Sequence, residues 1–219
     1  MKAKMYKLVI FDMDGTILDT LLDLTNAVNY ALDKAQLPLR SIDEVRNFVG
    51  NGIVNLMKRA IGKELSKDEF DIIFKDFCDF YEVHCDDNTK PYDGIIDLLK
   101  KLRVNNIKTA VVSNKAHFGV KKLVDIHFNG LFDEYQGATD KIKIKPNPDS
   151  VNAIIDKFKI NKENVVYVGD SEVDIMTAKN AGINCISVSW GFKSEEFLIK
   201  NNAQQIVHDS KELEKLLIK

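Results

Sequence analysis

Two aspartates one residue apart, Asp12 and Asp14, close the apolar run KLVIF and are the first groups whose types suggest chemistry. A carboxylate can attack a phosphorus atom, and a second one can carry the leaving-group proton, if the chain turns between them. Gly15 permits such a turn, and Thr16 adds a hydroxyl and a backbone donor. Taken alone, D-x-D-G-T also describes a calcium-like loop fragment or an ordinary acidic turn.

Three later clusters have the same character. Ser113-Asn114-Lys115 ends an apolar run just before a helical pattern. There a hydroxyl and backbone N–H groups can take phosphate oxygens, or the same residues can simply cap the helix. Lys145 stands beside Pro146 and Pro148, which fix its backbone. An ammonium held there can neutralise charge on a transferring phosphoryl group, whereas an ordinary lysine would be solvated. Asp170 follows another apolar run, and with Asp12 it could share a hard cation such as magnesium. Asp174, four residues on, can support a metal-bound water or complement the first turn of a helix.

The elements that would position these residues follow from hydrophobic period. Lys7–Asp12, Lys108–Asn114 and Asn164–Asp170 read as buried strands, with weaker ones at Cys185–Trp190 and Gln205–His208. Helical patterns fall at 94–104, 117–128, 148–158, 172–181 and 210–218. Alternation of this kind predicts an α/β fold with a doubly wound parallel sheet, so all four clusters lie at carboxyl-terminal strand tips. Residues 18–88 break the pattern: they carry only helical periodicity, with helices expected at 21–35, 42–49, 53–61 and 67–85. The expected organisation is a core from 1–17 and 89–219 with an inserted all-α helical domain at 18–88.

Composition narrows the function classes. The net charge is −2, from 31 basic and 33 acidic residues, so no global field recruits nucleic acid or an anionic membrane. Cys78, Cys85 and Cys185 include no C-x-x-C pair, which favours reduced thiols in a cytoplasmic protein. The four histidines lack metal-ligand spacing. The start MKAKMYKLVIF runs into an acidic segment with no apolar stretch long enough for a leader or a membrane span.

Asp12–Thr16, Ser113, Lys145-Pro146 and Gly169-Asp170-Ser171-Glu172-Val173-Asp174 together resemble the four motifs of the haloacid dehalogenase-like phosphohydrolases, in the phosphoglycolate phosphatase-like branch. The resemblance spans nearly the whole chain. It implies a phosphatase with Asp12 as nucleophile and Asp14 as general acid and base. Ser113, Asn114 and Lys145 would bind phosphate, with Lys145 also steadying Asp12. Magnesium would be held by Asp12, the Asp14 carbonyl and Asp170, with Asp174 supporting through water. Residues 18–88 would be the cap, in which Arg46 and Asn51 are candidates for contacting the substrate. The segments LLDLTNAVNYALDKAQLP, VRNFVGNGI and VSWGF resemble that branch, and Gly169 stands where hexose-phosphate mutases generally carry Glu. The implied partner is a small phosphorylated metabolite, acted on by a monomer or homodimer. Pyrophosphatases, nucleotidases and sugar-phosphate phosphatases share most of these features. A non-catalytic binding protein on the same fold would have no need of both Asp12 and Asp14.

Overall fold

In the computed structural model, which describes residues 5–218, the elements run β1 (Leu8–Phe11), β2 (Leu18–Asp19), α1 (Leu21–Lys34), α2 (Ile42–Phe48), α3 (Ile53–Ile61), α4 (Lys67–His84), β3 (Lys90–Pro91), α5 (Ile95–Val104), β4 (Lys108–Ala116), α6 (His117–His127), β5 (Glu134–Ala138), α7 (Asp149–Phe158), β6 (Val165–Gly169), α8 (Glu172–Ala181), β7 (Asn184–Val188), α9 (Glu195–Lys200), β8 (Ile206–Val207) and α10 (Ser210–Leu217). A short 3-10 turn at Lys162–Asn164 leads into β6.

Six strands form one parallel sheet in the order β5-β4-β1-β6-β7-β8. The central strands are buried at every position, as a sheet covered on both faces requires: LVIF in β1 and VVYVG in β6. Leu8 lies opposite Lys108 on one side and Val165 on the other. From β1 the chain winds outward through β4 and β5, then returns to β6 and winds the other way. The crevice at such a reversal lies between the carboxyl ends of β1 and β6, the strands that lead into Asp12 and Asp170. On one sheet face Leu8, Ile10, Val112 and Tyr167 pack with Val151, Ile154 and Ile155 of α7.

Two compact units divide the chain, one running to Leu18 and resuming at Pro91, the other spanning Asp19–Lys90. Within the second, α1 packs against α2 and α4, and α2 against α3. Ser41 and Ser66 open α2 and α4 with reciprocal capping boxes to Glu44 and Glu69, which stop the helices fraying at their starts. Phe70, Phe74, Phe77 and Tyr81 stack in succession along α4. Buried Asp23, in the first turn of α1, accepts from the backbone N–H groups of Asn88 and Thr89 and from both of their side chains, so the two ends of this unit meet.

The sheet and the helical insertion agree with the sequence reading, with differences at its margins. The two-residue strands β2 and β3, which pair with each other, are too short to show a period. The edge strand β5 was also missed: its sequence EYQGA is polar and half-exposed, because only one side of an edge strand is covered. Helix α9 is a single short segment begun by a Ser194 cap. All three cysteines are free thiols, and no helix among the described residues is long and apolar enough to cross a membrane.

Candidate active site

Asp12 leaves the tip of β1 with its carboxylate oxygens in different surroundings. Oδ1 accepts from the Met13 N–H at 2.7 Å and faces Lys145 Nζ at 2.8 Å. Oδ2 accepts no hydrogen bond among the described residues. The turn that follows needs glycine: Gly15 has φ +83°, and a Cβ there would lie 2.4 Å from Asp170 Oδ2.

At the adjacent tip of β6, Asp170 Oδ2 accepts from the Phe192 N–H at 2.7 Å, and Oδ1 lies 3.5 Å from the Thr16 hydroxyl. Trp190 Nε1 donates to the Thr16 carbonyl at 3.1 Å, so the WGF segment holds both the Asp12–Thr16 turn and Asp170. Sequence reasoning used those residues only as a mark of kinship.

Asp174, in the first turn of α8, is completely buried. Its Oδ2 accepts from the backbone and hydroxyl of Ser171, and its Oδ1 lies 2.8 Å from Lys145 Nζ. Lys145 thus stands between Asp12 and Asp174. Its backbone is set by Asn114, whose side-chain oxygen accepts from the Lys145 N–H at 2.8 Å and whose amide donates to the Lys145 carbonyl at 3.1 Å. The Asn114 side chain therefore positions Lys145. Ser113, also buried, accepts from the Lys115 N–H at 3.2 Å. The β4–β5 register shifts between Val112 and Ala116, and an irregularity of this kind re-aims the side chains of Ser113, Asn114 and Lys115.

The residue that the sequence reading passed over is Lys115. It is buried, and its Nζ lies 3.0 Å from Asp14 Oδ1. As one lysine among many in the chain it carried no signal of its own.

Electrostatically the site is short of positive charge. Burial pushes Asp12 up to about 7, Asp174 adds repulsion, and Lys145 only partly offsets them. Burial likewise holds Asp170 well above the carboxylate range, reinforced by Asp174 and Asp12. Desolvation would depress the Lys145 ammonium, yet Asp12 and Asp174 keep it well above the usual lysine range. Asp12, Asp14, Asp170 and Asp174 face two ammonium groups, Lys115 and Lys145, within one site. Asp12, Asp170 and Asp174 each present a carboxylate oxygen within 4.8 Å of the others. All-oxygen donors with excess negative charge fit a hard divalent cation.

Arg46 and Asn51, the candidates from the helical unit, are engaged inside that unit. Arg46 Nη1 pairs with Asp43 at 2.5 Å. Asn51 Oδ1 accepts from Arg59 Nη2 at 2.6 Å, and its carbonyl accepts from Asn55.

Comparison with known proteins finds relatives over nearly the whole chain. The family model described as haloacid dehalogenase-like hydrolase matches residues 9–188. Phosphoglycolate phosphatase of Psychrobacter arcticus is 33% identical over 224 residues, covering 97% of this chain and 96% of that protein. PpaX of Caldanaerobacter subterraneus subsp. tengcongensis, a candidate pyrophosphatase, is 30% identical over 95% of this chain and 93% of its own length. A crystal structure of a candidate phosphoglycolate phosphatase from Lactobacillus delbrueckii subsp. bulgaricus superposes with a TM-score of 0.92 at 36% identity, covering 97% of this chain and 98% of that one. With its matched family model, full-length relatives and carboxylate-lined crevice, the chain belongs to the haloacid dehalogenase-like hydrolases and stands among their phosphatases.

Proposed function

We propose that the chain hydrolyses a small phosphomonoester in two steps through a phosphoryl group carried on Asp12. The observation that carries this reading is the asymmetry of the Asp12 carboxylate, with Oδ1 held by Met13 and Lys145 and Oδ2 left to act. In the first step Asp12 Oδ2 bonds to phosphorus, the ester P–O bond breaks, and Asp14 gives its proton to the departing oxygen. In the second, Asp14 takes a proton from water as that water's oxygen bonds to phosphorus. The Asp12–phosphorus bond then breaks and inorganic phosphate leaves. Ser113 lies in the irregular carboxyl-terminal part of β4, where a hydroxyl can take a phosphoryl oxygen, and Lys145 balances the charge on Asp12.

The excess of carboxylates fits magnesium, which Asp12 and Asp170 would hold with the Asp14 carbonyl, and Asp174, bonded to Lys145 and Ser171, would support it through water. Bound there, magnesium supplies positive charge to the phosphoryl oxygens. Asp19–Lys90 would act as the cap that closes the site during the first step.

For the leaving group, a two-carbon acid phosphate such as phosphoglycolate is the reading favoured by relatives that bear that name over nearly the whole chain. The PpaX relative favours pyrophosphate as the second reading.

Asp12→Asn tests the chemistry. It is expected to fold, to bind substrate and to lose turnover, while the unaltered protein forms a covalent adduct at Asp12 with a fluoride-based phosphoryl mimic. Sustained turnover by this variant, once deamidation has been excluded, defeats the reading. Parallel kcat/KM values for phosphoglycolate, pyrophosphate and p-nitrophenyl phosphate decide the substrate.

A further inference from the structure

Lys145 Nζ has a full set of partners. An ammonium carries three N–H donors. Here they face Asp12 Oδ1 at 2.8 Å, Asp174 Oδ1 at 2.8 Å and the Tyr167 hydroxyl at 3.0 Å. The two carboxylates belong to the motifs already described. Tyr167 does not, and its surroundings give no packing reason for a hydroxyl.

Its ring sits on β6 among Leu8, Ile10, Ala110, Val112, Val151, Ile154 and Ile155, wholly buried. Phenylalanine would fill that space equally well, and a phenol among hydrocarbon side chains costs free energy unless its oxygen is bonded. The oxygen is bonded twice. It accepts from Lys145 and donates to the Val112 carbonyl at 2.9 Å. Val112 immediately precedes Ser113, so the phenol links the tip of β4 to the lysine, while its own strand leads to Asp170.

We infer that Tyr167 is a positioning residue for the reaction: its hydroxyl takes the inward-facing donor of Lys145 and so turns the other two donors onto Asp12 and Asp174. An ammonium with only two fixed acceptors can rotate about its Cε–Nζ bond and swing on a flexible stem. A third acceptor on the core side removes that freedom. Asp12 Oδ1 is then held in one place, and Oδ2 keeps one direction of attack. A misplacement of about 1 Å at the reacting atom can cost on the order of a hundredfold in rate, so a hydroxyl that never touches substrate can matter to turnover.

This inference rests on the reading of Asp12 as nucleophile. Tyr167→Phe, assayed with magnesium and p-nitrophenyl phosphate, is expected to lower kcat about tenfold with KM changed by less than about twofold. The melting temperature should stay within a few degrees, since the ring remains in place. A shielded, triply bonded ammonium gives a slowly exchanging 1H–15N NMR signal, assigned by its loss in Lys145→Ala, and Tyr167→Phe should shift or broaden it. Should that variant fail to melt cooperatively, 3,5-difluorotyrosine at position 167 keeps the shape, weakens the acceptor and should lower kcat in the same direction. Wild-type kcat in whichever variant folds, or an ammonium signal that does not change, overturns the inference. Turnover by Asp12→Asn would instead remove the nucleophile reading itself, so the two failures are distinguishable.

Discussion

Lys115 Nζ and Asp14 Oδ1 lie 3.0 Å apart, with the lysine side chain 3% exposed and the aspartate 15% exposed. The proton-transfer group of the proposed mechanism is therefore anchored by a buried cation from a different strand tip. The aliphatic stem of Lys115 runs past Gly119 in the first turn of α6, where a Cβ would meet it at 3.6 Å. Gly137 presses on the main chain beside it, since a Cβ at that position would fall 2.7 Å from the Lys115 carbonyl.

The first prediction follows from that pair. Asp14→Asn should slow phosphoglycolate hydrolysis more than p-nitrophenyl phosphate hydrolysis, because an alkoxide needs the proton and a nitrophenolate leaves without it. If Lys115 acts by holding Asp14, Lys115→Met should show the same leaving-group pattern, with a smaller loss of about tenfold on phosphoglycolate. It should also destabilise the fold by about 1–3 kcal/mol, because it leaves a partly buried carboxylate short of its partner. Equal losses on both substrates in Asp14→Asn would remove the acid role, and in Lys115→Met would reduce the lysine to a structural charge.

The second prediction concerns Gly169. A Cβ at this position would lie 2.3 Å from Asp174 Cγ and 2.4 Å from Asp174 Cβ. Asp174 is wholly buried and bonded to Lys145 and Ser171, so it has nowhere to retreat. Gly169→Ala should therefore push Asp174 off Lys145, lowering kcat about a hundredfold and stability by about 1–3 kcal/mol, within the usual range for overpacking. Urea melts and steady-state kinetics check both, and near-native kcat would show that the turn can open without disturbing Asp174.

How much of this was legible in the sequence depended on what each residue had to satisfy locally. Buried parallel strands demand unbroken apolar runs, so Leu8–Phe11 and Val165–Gly169 announced themselves, together with the aspartates that end them. The helical insertion was equally visible, because amphipathic period is a local signal. Long-range partnerships left no local trace. The bonds between the Asn114 side chain and the backbone of Lys145, 31 residues away, could not be read from either segment alone. Tyr167 looked like any aromatic in a strand, and Lys115 like any solvated lysine. The Arg46 and Asn51 expectations came from residue type beside a glycine turn, and the pairings with Asp43 and Arg59 left no trace in the sequence.

The last prediction concerns pH and the cation. Burial and the neighbouring Asp174 push Asp12 up to about 7 from an ordinary value of 3.8, and Asp170 is raised in the same direction. A carboxyl whose folded pKa is raised binds its proton more tightly in the folded than in the unfolded state. Its contribution to stability is complete below the unfolded pKa and is lost as pH rises through the folded one. The metal-free protein should therefore lose stability between about pH 4 and pH 7 from Asp12, with Asp170 acting in the same direction. A divalent cation competes with the same protons and compensates the same negative charge, so its stabilising effect should run the opposite way. The difference in melting temperature between magnesium and excess chelator is expected to be small near pH 5 and to grow through about pH 7. Asp12→Asn should flatten that rise. A difference that stays constant or shrinks as pH increases would mean that magnesium does not bind at Asp12 and Asp170, and the cation would have to be sought elsewhere in the fold.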